Sequence, residues 1–106
     1  MIHVTYDRKH YKVTITGHAG SGEVGHDLVC ASASILAYTL AANVAHAKTA
    51  EYLRSGTSKL DHGDAEIKCM PRSRYKDTMM LVFDTVCAGF ELLECEYPEN
   101  ISYEIK

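Results

Sequence analysis

The chain of 106 residues has no tryptophan and only two prolines. It also lacks a Cys-x-x-Cys pair, a Cys/His set at zinc-finger spacing, and a Gly-Lys-Ser/Thr after its glycine-rich stretch. Each absence removes a class of function. Without paired cysteines and histidines a structural zinc site has no ligands, and without the lysine and hydroxyl of a phosphate-binding loop the glycines near position 20 match no nucleotide site. No Pro- or Ser-rich tract is present, so nothing reads as a linker or a disordered tail. Positive charge is also scarce. Lys and Arg number 11 against 14 Asp and Glu, a net charge of −3, whereas a domain that grips nucleic acid carries a basic face, so direct nucleic-acid binding is not expected. The opening Met1-Ile2-His3-Val4 has neither the basic nor the apolar region of a secretion signal. No run reads as the roughly 18 apolar residues of a membrane span. The four cysteines, Cys30, Cys69, Cys87 and Cys95, are accordingly expected to be reduced, in a cytoplasmic protein with no membrane partner.

What the chain does have is ordinary globular composition, 46% hydrophobic and 24% charged, in a length that suits one domain over residues 1–106. Ile2 to Tyr6 and Tyr11 to Thr16 alternate apolar and polar residues around the polar Asp7-Arg8-Lys9, which predicts a β-hairpin with one buried face. His3 and His10, in and beside it, read as cross-strand or solvated residues. From Asp27 to about Leu53 an Ala-rich run with Leu36, Leu40, Val44 and Ala47 at helical steps predicts a helix. At ~1.5 Å per residue it would be about 40 Å long, so a break is expected near 46–52. Ser55-Gly56-Thr57-Ser58 reads as the stop that follows. Lys59–His62 and Ala65–Met70, around a turn at Gly63-Asp64, predict a second hairpin ended by Pro71. A second helix is predicted from Tyr75 to about Cys95, with Met79, Val82 or Phe83, Val86, Phe90 and Leu93 on its core stripe, and Ile101–Ile105 alternates as a last strand. The order ββαββαβ implies an α+β two-layer sandwich, with a mixed or mainly antiparallel sheet and two helices.

Reactive residues gather between 17 and 34, in Gly17-His18-Ala19-Gly20-Ser21-Gly22-Glu23-Val24-Gly25-His26-Asp27-Leu28-Val29-Cys30-Ala31-Ser32-Ala33-Ser34. His18 leaves a strand and Cys30 enters a helix. If Asp27 caps that helix, Cys30 is its third residue, where free N–H groups and the helix dipole favour a thiolate. A nearby imidazole would favour it further. Gly17, Gly20, Gly22 and Gly25 allow the connection to turn back and set His18 against Cys30, or to aim backbone N–H groups at a developing oxyanion. Ser34 falls one turn after Cys30 on the same face, either supporting the site or back-bonding to its own helix. Apart from Asp27, no residue offers itself to orient His18. From the residues alone the readings are a thiol protease, a thiol enzyme of another kind such as an acyltransferase or redox protein, and a non-catalytic module in which Cys30 merely packs. None needs a cofactor or a metal.

Gly17-His18-Ala19-Gly20, then Glu23, Gly25, Asp27, Val29-Cys30-Ala31 and Ser34 resemble the signature of the ribosomal-processing cysteine protease family of bacteria such as the Firmicutes. The pattern is Gly-His-Ala, then Gly-x-Asp-Ile/Leu-Val-Cys-Ala, with a Ser four residues after the Cys. Glu96-Tyr97-Pro98 is similar to the family's entry to its last strand, so the resemblance spans most of the chain. It implies an endopeptidase that removes the N-terminal extension of a large-subunit ribosomal protein (L27 type) before ribosome assembly. His18 would match the family's base and Cys30 its nucleophile, with Gly17, Gly25, Asp27 and Ser34 in support. The resemblance also implies a homodimer. The rival to it is a non-catalytic binding module for ribosome assembly.

Overall fold

The alternation in the first hairpin sets the frame of the molecule. In β1 (Ile2–Asp7) the side chains of Ile2, Val4 and Tyr6 are buried while His3 and Thr5 turn to the other face. Val4 pairs with Ile15 and Tyr6 with Val13 of β2 (Lys12–Thr16), so the same face continues across the hairpin. The structure, a computed structural model, describes residues 1–18 and 26–106, and of His26 and Asp27 the backbone only. After α1 (His26–Thr49) come β3 (Leu53–Asp61), β4 (Asp64–Pro71), α2 (Lys76–Glu96) and β5 (Ile101–Ile105). The sheet order is β3-β4-β2-β1-β5, antiparallel except for β1 beside β5. This is the α+β architecture with order ββαββαβ that the sequence implies, and the sheet is mixed.

Both helices join the strands in one hydrophobic core. From α1 come Val29, Ala33, Ala37, Leu40 and Val44, and from α2 Met79, Phe83, Val86, Cys87 and Phe90. Between Leu28 and Thr49, α1 is also long and apolar enough, by length and composition, to cross a membrane, which corrects the expectation that no such stretch exists. Its composition has a packing cause, since one side lies on β3 and β4 and another against α2, and residues on both sides must be small and apolar.

Two boundaries differ by several residues from those read in the sequence. The first helix ends at Thr49 rather than Leu53, closing where a break is expected. Glu51 adopts the left-handed region (φ 64°), the Tyr52 N–H bonds back to the Ala47 carbonyl at 2.9 Å, and the Glu51 N–H bonds to the Lys48 carbonyl at 3.1 Å. That is the pairing of a Schellman cap, in which glycine is the usual residue, and its absence hid the end of the helix. Ser55-Gly56-Thr57-Ser58, read as a stop, lies inside β3. A methyl carbon at Gly56 would sit 2.9 Å from Cγ1 of Val44 and 3.0 Å from Cδ1 of Leu53. The glycine marks the close passage of a strand beneath α1, not a chain break.

At the edge of the core the Tyr6 hydroxyl donates to Oδ1 of Asp84 (2.8 Å), and Arg8 donates through Nε to Oδ1 (3.0 Å) and through Nη2 to Oδ2 (2.9 Å). The Arg8 bonds, with help from Tyr6, hold the Asp84 carboxyl below its usual range against the cost of partial burial. A carboxylate depressed in the fold stabilises it above the ordinary value of about 4, and this contribution disappears as pH falls through the lower native value. Asp84→Asn is therefore expected to lower the melting temperature at neutral pH and to flatten its fall in acid. An acid limb parallel to that of the wild type would show that the ionised carboxylate contributes nothing.

Candidate active site

A turn that only glycine permits carries the chain from β2 into the site. Gly17 has φ 86°, and a side chain there would collide with the Met1 carbonyl oxygen. Its N–H donates to the Gly63 carbonyl at 3.0 Å, tying the end of β2 to the tip of the β3–β4 hairpin. The Thr16–Asp64 pairing of β2 with β4 makes this neighbourhood unavoidable, because the next residues along each strand meet. His18 therefore lies on the hairpin tip, its ring centroid 4.7 Å from that of His62 and inclined by 41°.

Opposite stands α1. Cys30, Ala33, Ser34, Ala37 and Tyr38 follow one another at steps of three and four on one helix face, and they line a cleft of about 210 Å³ together with Gly17, His18 and the hairpin tip. Cys30 is half-buried, whereas Ser34 and His18 are exposed. Ile2, Ile15 and Leu60 give the floor an apolar character, and Asp61, His62 and Asp64 rim it. Lys59 pairs with Asp64 at 2.7 Å and with Asp61 at 3.8 Å, on the exposed side of the tip. Among the described residues, no group of three or more His, Cys, Asp or Glu could hold a metal ion.

Of the residues singled out in the sequence, four thus share one cleft: Gly17, His18, Cys30 and Ser34. Gly25 lies outside the described residues, as do Gly20 and Gly22, and so does the side chain of Asp27. The helix begins at His26, so Asp27 falls within its first turn and Cys30 is its fifth residue, two positions further from the helix start than capping by Asp27 would place it. His3 and His10 take local partners, Ser102 Oγ at 2.8 Å and Asp7 Oδ1 at 2.9 Å. The other thiols separate by burial, which pushes Cys69 up to about 11 and Cys87 up to about 12. Cys95 is exposed near the end of α2. Missed altogether were Tyr38, Leu60, His62 and Gly63. Their approach to His18 depends on β4 lying beside β2, and no local pattern announces that pairing.

A family model described as cysteine protease Prp matches residues 1–102 of the chain. The ribosomal processing cysteine protease Prp of Staphylococcus aureus is 32% identical over 94 residues, 89% of this chain and 85% of that protein. A crystal structure of the essential ribosomal processing protease Prp from S. aureus, in complex with a covalently linked product peptide, superposes with a TM-score of 0.70 at 28% identity, covering 99% of this chain and 97% of that one. Another, in complex with a substrate peptide, gives 0.65 at 25% identity over 99% and 97% of the two chains. With a family model that matches nearly the whole chain, a relative 32% identical and a shared fold, the chain belongs to the ribosomal-processing cysteine protease Prp family and is a cysteine protease.

Proposed function

We propose that residues 1–106 form one protease domain in which Cys30 and His18 act as a dyad, removing the N-terminal extension from a large-subunit ribosomal protein (L27 type). The observation that carries this reading is that Cys30 on α1 and His18 beyond β2 line the same apolar cleft. In the proposed reaction the Cys30 thiol gives its proton to His18 and the sulfur attacks the scissile carbonyl carbon, forming a tetrahedral oxyanion. Collapse breaks the C–N bond as His18 returns the proton to the leaving amine, leaving a thioester on Cys30. Water then attacks the thioester carbonyl with His18 taking its proton, and the C–S bond breaks as that proton passes to the sulfur, releasing the new carboxylic acid and regenerating the Cys30 thiol. No cofactor enters. A peptide held covalently in the S. aureus relative fits such a path.

Ile2, Ile15, Ala37, Tyr38 and Leu60 suit a substrate with an aromatic or apolar residue beside the cut. An extended peptide could also pair with the free edge of β3, whose end reaches the cleft. Gly17, Gly25, Asp27 and Ser34 support the dyad in this reading, and the enzyme works in the cytoplasm as a homodimer, without direct contact with nucleic acid. Sedimentation should then give the mass of two chains. Purified protein is expected to cut a peptide carrying the extension at one bond, as read by mass spectrometry, and to leave whole a peptide whose aromatic residue is replaced by aspartate. If the wild type with reduced Cys30 leaves the first peptide intact, the assignment fails and the binding-module reading replaces it.

A further inference from the structure

The His18 ring stands on a residue that has no side chain. A methyl carbon added to Gly63 would lie 2.5 Å from Cε1 and 2.6 Å from Nε2 of His18, closer than a Cβ comes to the side chain of a residue distant in the chain. On another side the ring meets the imidazole of His62, with centroids 4.7 Å apart. The backbone below is fixed to the same place, since the Gly17 N–H bonds to the Gly63 carbonyl at 3.0 Å.

We infer that the tip of the β3–β4 hairpin is the seat of the His18 imidazole. Gly63 supplies the space the ring occupies and His62 the wall that limits its swing, so both are positioning residues for the proton transfers of the cleavage. This rests on the assignment of His18 to the dyad. The physical reason to expect a seat is that His18 is exposed and follows a glycine, so its own backbone restrains it weakly. A base displaced by about 1 Å can cost on the order of 10²-fold in rate.

Gly63 also has φ 77°, so a requirement for glycine in the turn must be separated from a requirement for space above it. Asparagine separates the two, because it tolerates the left-handed region but brings a Cβ. Gly63→Asn is expected to retain the fold by circular dichroism. Its kcat on the extension peptide should fall about 10- to 100-fold, with KM within about threefold, and the His18 Hε1–Cε1 signal should move in the NMR spectrum. In the His18→Ala background the same substitution should cause no further loss. His62→Ala, which leaves the turn untouched, should shift the His18 signal and lower kcat by a smaller factor. If Gly63→Asn does not fold, His62→Ala alone decides. Wild-type kcat and an unmoved His18 signal in the folded variants would overturn the inference. The two readings fail separately: absence of peptide cleavage by the wild type would sink the protease assignment, and the His18 signal would still report whether the ring is seated on the hairpin.

Discussion

Cys30→Ala is expected to abolish cleavage of the extension peptide, by about 10⁴-fold or more, while leaving its affinity within a few-fold of the wild type. A covalent pathway has no detour around its nucleophile, and removal of one from a dyad or triad ordinarily leaves only the residual rate that binding and oxyanion stabilisation provide. The fold should not suffer. Cys30 is half-buried in α1 with Ala33 and Ala37 further along the same face, and alanine is the best helix former. Removing the thiol also leaves the apolar lining from Ile15, Tyr38 and Leu60 in place, so the peptide keeps its contacts. Single-turnover mass spectrometry and calorimetric titration with the variant read the two effects separately. Cleavage that persisted would place the nucleophile elsewhere. Cys95 would be the first alternative, because it is exposed, whereas burial raises Cys69 and Cys87 far above neutrality.

How far the sequence anticipates this site depends on how local each contact is. The strands of the first hairpin, the core stripe of α2 and the placement of Ser34 one turn beyond Cys30 all follow from periods of two and 3.6, which are visible within a few residues. The end of α1 was harder to read because Glu51 takes the left-handed position without being glycine. Gly56 misled in the opposite way, since a glycine required by the close approach of Val44 looks in sequence like one required by a turn. The hairpin tip was recognisable as a turn but not as part of the site. Gly63 comes to lie under His18 through the Thr16–Asp64 register of β2 with β4, a pairing across 48 positions of chain that no local spacing encodes. The same holds for Leu60, which lies in the hairpin yet lines the cleft with Cys30 of α1. The exposure of Cys95 is local information, since Glu91, Glu94 and Glu96 surround it in the sequence, whereas Cys87 turns inward among apolar neighbours.

His18→Ala is expected to lower kcat by about 10²- to 10⁴-fold, the range that a positioned acid–base group contributes, and to change the chemistry of one thiol only. With an imidazole to take its proton, Cys30 should react with iodoacetamide at neutral pH faster than an ordinary exposed cysteine. Cys95 provides that comparison within the same molecule. In the variant, Cys30 labelling at neutral pH should slow towards the Cys95 rate, while Cys95 itself is unaffected. Cys69 and Cys87 should stay silent in both proteins, since both are buried and their thiols are held protonated. Peptide mapping after a short exposure gives all four rates in one experiment. The internal reference matters because a substitution that merely loosened the fold would speed labelling of the buried pair, whereas loss of a proton acceptor slows Cys30 and leaves the rest alone. An unchanged labelling rate for Cys30 would remove His18 from the dyad and leave the helix start as the remaining activating feature. As the helix begins at His26, that end lies a full turn before Cys30, and a dipole whose influence fades within the first turn could not do the work by itself.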